Sequence, residues 1–352
     1  MPNDNPNDSW HYPKSKAGQT WVKTWRKVYH PLGFKKGYNF PLFVIFVGAL
    51  MGFSLSRIMY LDFDRSFLPN TIPGDAINYR SGRMRVGMIL HLGAILPAGI
   101  LACFQFVPII RHTAILFHRL NGYLIILLFL IANAGAYIII PQAAGGAPST
   151  QVALGCLATL TTITITLSYI NIKRLQLDQH RAWMIRTWVY AASVITLRLI
   201  YEAMHKYIAD HQSRDWYDVQ TCASIWAQYV LHGAPDGEGN PVPMIYAQCT
   251  GPNSTVPVVI QGHPDGPGPE YSTAAFSSSF GASTWLALLI HIIGAEIYLA
   301  LTPAESERLR TVSYERQLKA GFRHPGRAGL TVDKFGDAPA FKPLMENQTE
   351  MT

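Results

Sequence analysis

The sequence predicts an all-α fold, an integral membrane helical bundle with about six transmembrane helices. Of its 352 residues, 49% are hydrophobic and 14% are charged, whereas soluble domains carry roughly 25% charged residues. Apolar runs recur that reach about 20 residues, the length that crosses a hydrocarbon core of about 30 Å as a helix. The runs are continuous, whereas the strands of a membrane barrel alternate. The predicted spans are residues 41–60, 87–110, 114–140, 151–172, 183–204 and 282–302.

The residues before the first span predict its orientation. Residues 1–40 are polar, basic and aromatic and show no cleavable signal peptide, so the first span must itself direct insertion. By the positive-inside rule, their basic residues place the N-terminus in the cytoplasm. These residues are Lys14, Lys16, Lys23, Arg26, Lys27, Lys35 and Lys36. An even number of spans returns the C-terminus to the same side.

This orientation divides the chain into a cytoplasmic N-terminal segment, 1–40, a membrane domain, 41–302, and a cytoplasmic tail, 303–352. Gly, Pro and charged residues interrupt any apolar period in both terminal segments, which we expect to be weakly ordered. The loop 61–85 is an exception to the charge rule, since it places four arginines outside. The net charge of +7 lies mostly on the cytoplasmic face. The expected partner is therefore the lipid bilayer, and nucleic acid is not expected.

A long segment, 206–280, lies between the last two predicted spans and faces outward in this topology. It is rich in Gly, Pro and Ser, and it contains Cys222, Cys249 and the sequon at Asn253. In an oxidising compartment the two cysteines would pair, and the sequon would accept a glycan. The alternative is two free thiols and an unused sequon. The first interpretation predicts a eukaryotic secretory-pathway or plasma membrane.

Ionisable residues inside apolar spans are costly and mark functional sites by default. The rise along each span sorts them into two layers. The cytoplasmic layer contains His118, Arg119, His180, Arg181, Arg186 and Glu296, and the outer layer contains His91, His291 and Arg198. Two His-Arg pairs distant in sequence thus lie at the same membrane face.

Two layers of histidines on different helices are suited to two stacked haems, because neutral imidazole is an axial ligand of haem iron. His91 would pair with His291 in the outer layer, and His118 with His180 in the inner layer. Arginine pairs with haem propionates, and the candidates are Arg119, Arg181, Arg186 and Arg198. The layout resembles the two-haem transmembrane cytochromes b, which implies haem b and electron transfer across the membrane.

Each of these residues also has a structural interpretation. The His-Arg pairs are suited to anchoring the helices at phosphate head groups. Glu296 and Arg186 are expected at similar depth and would neutralise each other as a structural ion pair. His291 would hydrogen-bond a threonine of the span 151–172, as polar side chains do between membrane helices.

Several of these residues also stand in segments that resemble a known family. The runs HLGAILPAGILACFQFVPIIRHTAILFHRLNGYLI, QHRAWMIRTWVYAASVITLRL and GAEIY resemble the membrane-protein family called domain of unknown function 2306. The resemblance covers residues 85–300 without the outward-facing loop. It implies a multi-span membrane protein and carries no established reaction.

The leading hypothesis is therefore a six-span membrane protein with a His-lined site that binds haem b and moves electrons. The alternative is a non-redox carrier or accessory protein, in which Arg198, Arg186 and Glu296 line a polar path for a small anion or metabolite. No phosphate-binding glycine loop, zinc-protease motif or nucleophile elbow is present in the sequence. No enzyme class follows from the residues.

Overall fold

A computed structural model describes residues 16–34, 37–211 and 216–343. Its α-helices are α1 (Lys16–Tyr29), α2 (Asn39–Arg57), α3 (Pro73–Tyr79), α4 (Gly82–Gln105), α5 (Pro108–Thr113), α6 (Ile115–Ile139), α7 (Pro148–Lys173), α8 (Leu177–Ala191), α9 (Ser193–His211), α10 (Cys222–Leu231), α11 (Val242–Ile245), α12 (Pro269–Ala300) and α13 (Pro303–Lys319). Two strands, β1 (Tyr217–Thr221) and β2 (Pro257–Gln261), pair antiparallel, with Val219 opposite Val259. The predicted all-α membrane bundle is confirmed. The basic residues Lys14, Lys35 and Lys36 lie outside the described residues.

Five helices in the described part of the chain are long and apolar enough to cross a membrane. They correspond to the predicted spans 41–60, 87–110, 114–140, 151–172 and 282–302. The sixth predicted span, 183–204, is wrong as a single helix, because α8 ends at Ala191 and α9 begins at Ser193. The apolar run continues through this break, so hydropathy alone does not detect it.

The last long helix begins earlier than the sequence predicts. α12 has 32 residues and starts at Pro269, so its first twelve residues lie within the predicted loop 206–280. α9 extends into the same loop as far as His211. Small and hydroxylated residues between 272 and 284 dilute the apolar signal there. Many of these small residues are buried. Their small side chains allow neighbouring helix backbones to approach closely, and that approach buries them.

Contacts between the helices define two compact units. The first unit comprises residues 1–61 and 92–132. In it, α2 packs on α4 where Gly99 faces Ser54: a Cβ added to Gly99 would lie 2.5 Å from the Ser54 hydroxyl oxygen. The side-chain amide of Asn121 donates to the Leu101 carbonyl at 3.1 Å. A small residue and a polar anchor thus hold these helices together.

The second unit comprises residues 62–91 and 133–352. Its membrane part is built on two helix pairs, α7 with α8 and α9 with α12. Polar side chains join the helices: Asn133 donates to the hydroxyls of Thr161 and Thr162 at 3.1 and 2.9 Å, and Thr187 donates to Thr164 at 2.9 Å. Hydrogen bonds of this kind stabilise helix packing where lipid leaves no hydrophobic driving force between helices.

A small subdomain, residues 216–268, forms most of the predicted outward-facing loop. The predicted disulfide between Cys222 and Cys249 is confirmed. Both cysteines are fully buried beside Ile225 and Val242, and β2 adds Ile260 to the same apolar core. We call this region the disulfide subdomain.

The sequence predicted a weakly ordered tail from residue 303. In the structure, residues 303–343 instead pack against the rest of the second unit. α13 packs against α8 through polar side chains: Ser313 donates to the carboxylate of Asp178 at 3.1 Å. Gln317, fully buried, donates to the Arg174 carbonyl and to the Gln176 side chain, both at 3.0 Å. Because this contact is polar, no apolar period in the sequence indicated that the tail would pack.

Candidate functional site

An ion pair joins two helices of the second unit near the predicted cytoplasmic end of the bundle. Arg186 of α8 donates from Nε and Nη2 to the two carboxylate oxygens of Glu296 on α12, each at 2.7 Å. These residues were expected at similar depth in the membrane, and the structure has them in contact. The side chain of Glu296 is 48% exposed and that of Arg186 is 20% exposed. Protein therefore covers only about half of the Glu296 side chain, although it lies within an apolar helix.

Aromatic side chains surround this ion pair. The guanidinium of Arg186 lies 4.8 Å from the ring centroid of Trp183, one turn earlier on α8. The hydroxyl of Tyr190, one turn later, donates to Glu296 at 3.3 Å. The spacing of three and four residues on α8 brings all three side chains to one side of the helix.

A second arginine lies on the same pair of helices. Arg181 donates from Nη2 to the hydroxyl of Thr302 at 3.3 Å, and its guanidinium lies 5.7 Å from the ring of Tyr298. Among the described residues, no acceptor is within hydrogen-bonding distance of two buried N–H groups, Arg181 Nη1 and Trp183 Nε1. These side chains make two sets of contacts, one around Arg186 and one around Arg181, which we together call the arginine cluster: Arg181, Trp183, Arg186, Tyr190, Glu296, Tyr298 and Thr302.

His291 braces the break between α8 and α9. Its Nδ1 donates to the carbonyl of Val189 at 2.6 Å, and its Nε2 lies 2.7 Å from the hydroxyl of Thr196. The Val189 carbonyl belongs to the last turn of α8, where helix carbonyls lack intrahelical partners. Thr196 lies in the first turn of α9. The histidine therefore bonds both sides of the break, with a threonine of α9 in place of the expected threonine of the span 151–172.

His180 also makes contacts between helices. Its Nδ1 lies 2.8 Å from the hydroxyl of Ser168 and 3.1 Å from the Ser168 carbonyl, and the serine hydroxyl lies 3.1 Å from the His180 carbonyl. Since a carbonyl only accepts, Nδ1 is the donor. This pairing links the start of α8 to the end of α7.

The other predicted site residues are distributed over both units. His91 lies on α4 in the second unit, next to Gly135, where a Cβ would meet the His91 backbone nitrogen at 2.7 Å. His118 and Arg119 lie near the start of α6 in the first unit, and Arg119 is exposed. The guanidinium of Arg198 on α9 lies 5.9 Å from the ring of Phe280.

Both ring nitrogens of His291 hold hydrogen bonds, so an outer haem would have to displace Thr196 from Nε2, and the pair of His91 and His291 stays a prediction. Within the described residues, no group of three or more His, Cys, Asp or Glu side chains is arranged to hold a metal ion. The inner pair, His118 and His180, stays a prediction.

A buried carboxylate that the sequence pattern did not predict lies at the other end of the second unit. Asp75 of α3 is 8% exposed and accepts hydrogen bonds from the backbone nitrogens of Ala144 and Gly145 at 3.2 and 3.4 Å. Ala144 has a φ of 48° and Gly145 a φ of 77°, a left-handed turn that this carboxylate holds. Burial raises the pKa of Asp75 to about 6, although the two backbone hydrogen bonds and the charge of Arg198 lower it. The signal available in sequence was an acidic residue just after Pro73 at a helix start.

The disulfide subdomain rests on a second buried carboxylate, Glu270, at the start of α12. It is fully buried and accepts from the hydroxyls of Tyr246 and Tyr229 at 2.8 and 3.3 Å. Burial and the neighbouring charge of Glu270 raise the pKa of Tyr229 to about 12, so this phenol stays a donor. An open cavity of about 500 Å³ lies beside it, lined by Tyr229, His232, Ser272 and the Gly- and Pro-rich turn at 264–269.

Comparison with known proteins finds a family match for part of the chain. Residues 88–232 match the family described as Predicted membrane protein (DUF2306). The family resemblance is confirmed over this segment, which includes His91, His118, His180 and Arg186. It ends before α12, so Glu296 and His291 lie outside the match. No curated protein and no solved structure matches the chain.

Proposed function

We propose that this membrane protein is a non-redox carrier that binds a small organic anion at the arginine cluster. One observation carries the proposal: two buried N–H donors, Arg181 Nη1 and Trp183 Nε1, have no acceptor among the described residues and lie close in sequence to a half-exposed ion pair. Buried donors without an acceptor are costly. An anionic ligand would supply the missing acceptors.

The ion pair gives the site a means of releasing its ligand. A carboxylate or phosphate that enters the cluster competes with Glu296 for the guanidinium of Arg186, because arginine bonds such groups through two parallel hydrogen bonds. When the ligand leaves, Glu296 returns to Arg186 and neutralises it. The rings of Trp183 and Tyr298 provide apolar faces for the remainder of the ligand.

A thermal-shift titration tests this proposal with the full chain in lipid nanodiscs. The probes are succinate, benzoate and inorganic phosphate, with chloride at matched ionic strength as the blank. A ligand present at about 100 times its Kd stabilises the folded state by roughly 2.7 kcal/mol. We expect a saturable rise in Tm that Arg186→Gln abolishes and Glu296→Gln enhances, since the competing carboxylate is then neutral.

Arg85→Gln is the matched control. Arg85 forms an equally short two-fold ion pair with Asp64, at 2.7 and 2.8 Å, but outside the arginine cluster. The probes should raise the Tm of this variant as much as they raise that of the wild type. A wild-type Tm that no probe changes, or an equal shift in Arg186→Gln, would reject anion binding at this site.

The finer topology is part of the same proposal. Both termini face the cytoplasm, and the disulfide subdomain faces the lumen or exterior of a eukaryotic secretory or plasma membrane. A closed disulfide supports an oxidising compartment, and Asn253 lies exposed in a turn soon after Cys249. Asn253→Gln should remove an endoglycosidase-sensitive mass shift in protein expressed in eukaryotic cells. An unchanged mass in the wild type would refute glycosylation at this site.

The same purified protein tests the haem hypothesis. A Soret band that disappears in both His118→Ala and His180→Ala would establish the inner haem and overturn the non-redox proposal. Colourless protein after haem supplementation during expression would remove haem from consideration.

A further inference from the structure

The first described helix has two chemically opposite sides. At about 3.6 residues per turn, the spacing of its last two turns brings Trp25, Val28 and Tyr29 to one side. The other side receives Lys23, Thr24, Arg26 and Lys27. The two sets do not overlap around the helix.

The polar side of α1 carries positive charge and no negative charge. It holds Lys23, Arg26 and Lys27, and α1 contains no Asp or Glu. The apolar side holds the aromatic residues Trp25 and Tyr29. A helix with a strongly basic face, an aromatic apolar face and low overall hydrophobicity lies in the plane of a membrane interface.

The structure connects α1 to the entrance of the first long apolar helix. The ring of Trp25 lies 5.6 Å from the ring of Phe40, edge to face, in the first turn of α2. Tyr29 is 4% exposed and lies 6.5 Å from the same ring. Only residues 30–38 separate α1 from α2, so α1 cannot move away from the bilayer surface where α2 enters.

Part of the apolar side is left open. Val28 is 48% exposed although it shares the side of Trp25 and Tyr29. An apolar side chain beside the start of a membrane span meets lipid when the helix lies flat on the bilayer. The exposed side chains of Lys23 and Lys27 then face the head groups and the solution.

We infer that α1 is an interfacial anchor that binds an anionic lipid surface, with Val28 and Trp25 inserted below the head groups and the basic side bound to lipid phosphates and carboxylates. Clusters of Lys and Arg next to a membrane span bind anionic lipids electrostatically. The binding does not depend on the ligand proposed for the arginine cluster. It gives the N-terminal segment a function as a sensor of lipid charge.

An environment-sensitive fluorophore tests this inference on the full chain in nanodiscs. The label NBD is attached at Val28→Cys in a background in which Cys103 and Cys156 are replaced by Ala, so that the disulfide is kept. Lys27→Cys, on the basic side of the same turn, is the matched control. Nanodiscs contain phosphatidylcholine alone or phosphatidylcholine mixed with phosphatidylserine, and lipids with nitroxide groups report contact with acyl chains.

We expect the label at position 28 to emit at shorter wavelength than the label at position 27 and to be quenched severalfold more strongly by the nitroxide lipids. Phosphatidylserine should increase both differences, and Lys23→Glu combined with Arg26→Glu should remove that increase. A higher salt concentration should also remove the increase caused by phosphatidylserine, because salt screens surface charge. Each variant must retain the Tm and elution profile of the wild type.

Three results would contradict the inference. Equal emission and equal quenching at positions 27 and 28 would mean that α1 does not lie in the interface. A label at position 28 that is shielded from water but not quenched by nitroxide lipids would mean that the apolar side packs on protein. Insensitivity of the position-28 label to phosphatidylserine would refute the selectivity for anionic lipid.

Discussion

Arg186 and Glu296 join α8 to α12 through two parallel hydrogen bonds of 2.7 Å. Tyr190 supports the carboxylate, and Trp183 lies against the guanidinium. Removal of one partner leaves the other as an uncompensated charge in an apolar setting, whereas removal of both leaves none.

This relationship predicts a non-additive mutant cycle. Arg186→Leu and Glu296→Leu should each lower the free energy of unfolding by about 1–2 kcal/mol, a value reduced from that of a buried pair because Glu296 is half exposed. The double variant should lose no more than either single variant. Thermal denaturation in one detergent measures all four proteins. The exposed pair Arg85 and Asp64 is the control, and its cycle should be close to additive. Additive losses at Arg186 and Glu296 would show that they are not energetic partners.

A second prediction concerns the pH dependence that Asp75 confers. Its pKa is raised from 3.8 to about 6, so the stability it contributes is fully present below pH 3.8 and is lost as the pH rises through about 6. As the pH rises from 4 to 7, the free energy of unfolding of Asp75→Asn should therefore rise by up to about 3 kcal/mol relative to that of the wild type. Thermal denaturation of both proteins across this pH range measures how the difference in their Tm changes.

Asp64→Asn serves as the control for that experiment. The hydrogen bond from Arg85 lowers the pKa of Asp64 below 3.8, so its contribution is present above the unfolded value and is lost as the pH falls through the lowered value. The difference between this variant and the wild type should stay flat from pH 4 to pH 7. A difference for Asp75→Asn that is equally flat would mean that the Asp75 carboxyl does not titrate in this range.

The disulfide should stabilise its subdomain selectively. Cys222 and Cys249 are separated by 27 residues, and closing a loop of this length contributes about 3–4 kcal/mol in the chain-entropy treatment. Cys222→Ala combined with Cys249→Ala should make residues 216–268 far more sensitive to protease than the long helices. Cys156→Ala, a free and partly exposed cysteine, should leave the digestion pattern unchanged. Equal protection of the subdomain without the disulfide would contradict this account.

Replacing His291 should change the stability of the protein and not its visible absorption. His291→Leu leaves the Val189 carbonyl and the Thr196 hydroxyl without their partner, and each buried polar group left unsatisfied costs about 1–3 kcal/mol. His291→Gln retains one donor and one acceptor and should recover part of the loss. Ile293→Leu, at an exposed position of the same helix, should match the wild type in thermal denaturation. A His291→Leu protein of wild-type stability would argue against the bracing role.

The tail should detach when its buried amide is removed. Gln317 donates to Arg174 and Gln176 and accepts from the backbone nitrogen of Gly326 at 2.7 Å. Gln317→Ala should speed thermolysin cleavage after residue 303 at least severalfold, because three polar groups lose their partner. Glu315→Ala, exposed on the same helix, should cleave at the wild-type rate. Equal rates would mean that the tail is held by other contacts.

Hydropathy predicted the membrane fold and five long helices correctly, because lipid imposes a length and an apolar composition that are visible residue by residue. It joined α8 to α9 wrongly because the break is stabilised by His291 from a distant helix. It missed α1 and the packed tail for a different reason. α1 is amphipathic rather than apolar, and the tail docks through Ser313 and Gln317 rather than through an apolar stripe.

The candidate site was partly visible in the sequence. Ionisable residues inside apolar runs identified Arg186 and Glu296, and matching their depths paired them. The orientation of Trp183 and the orphaned nitrogen of Arg181 depend on how α8 crosses α12, and sequence spacing on one helix does not determine that crossing. Asp75 was overlooked because its burial comes from the turn at Ala144, far away in the chain.

The unbroken length of α12 has a mechanical consequence. Glu270, fixed by two tyrosines in the disulfide subdomain, and Glu296, bound to Arg186, stand on one continuous helix. At about 1.5 Å per residue they are roughly 39 Å apart along a stiff rod. A displacement or rotation applied to the subdomain at one end therefore reaches the arginine cluster as a rigid-body movement, without any relay of side chains between them.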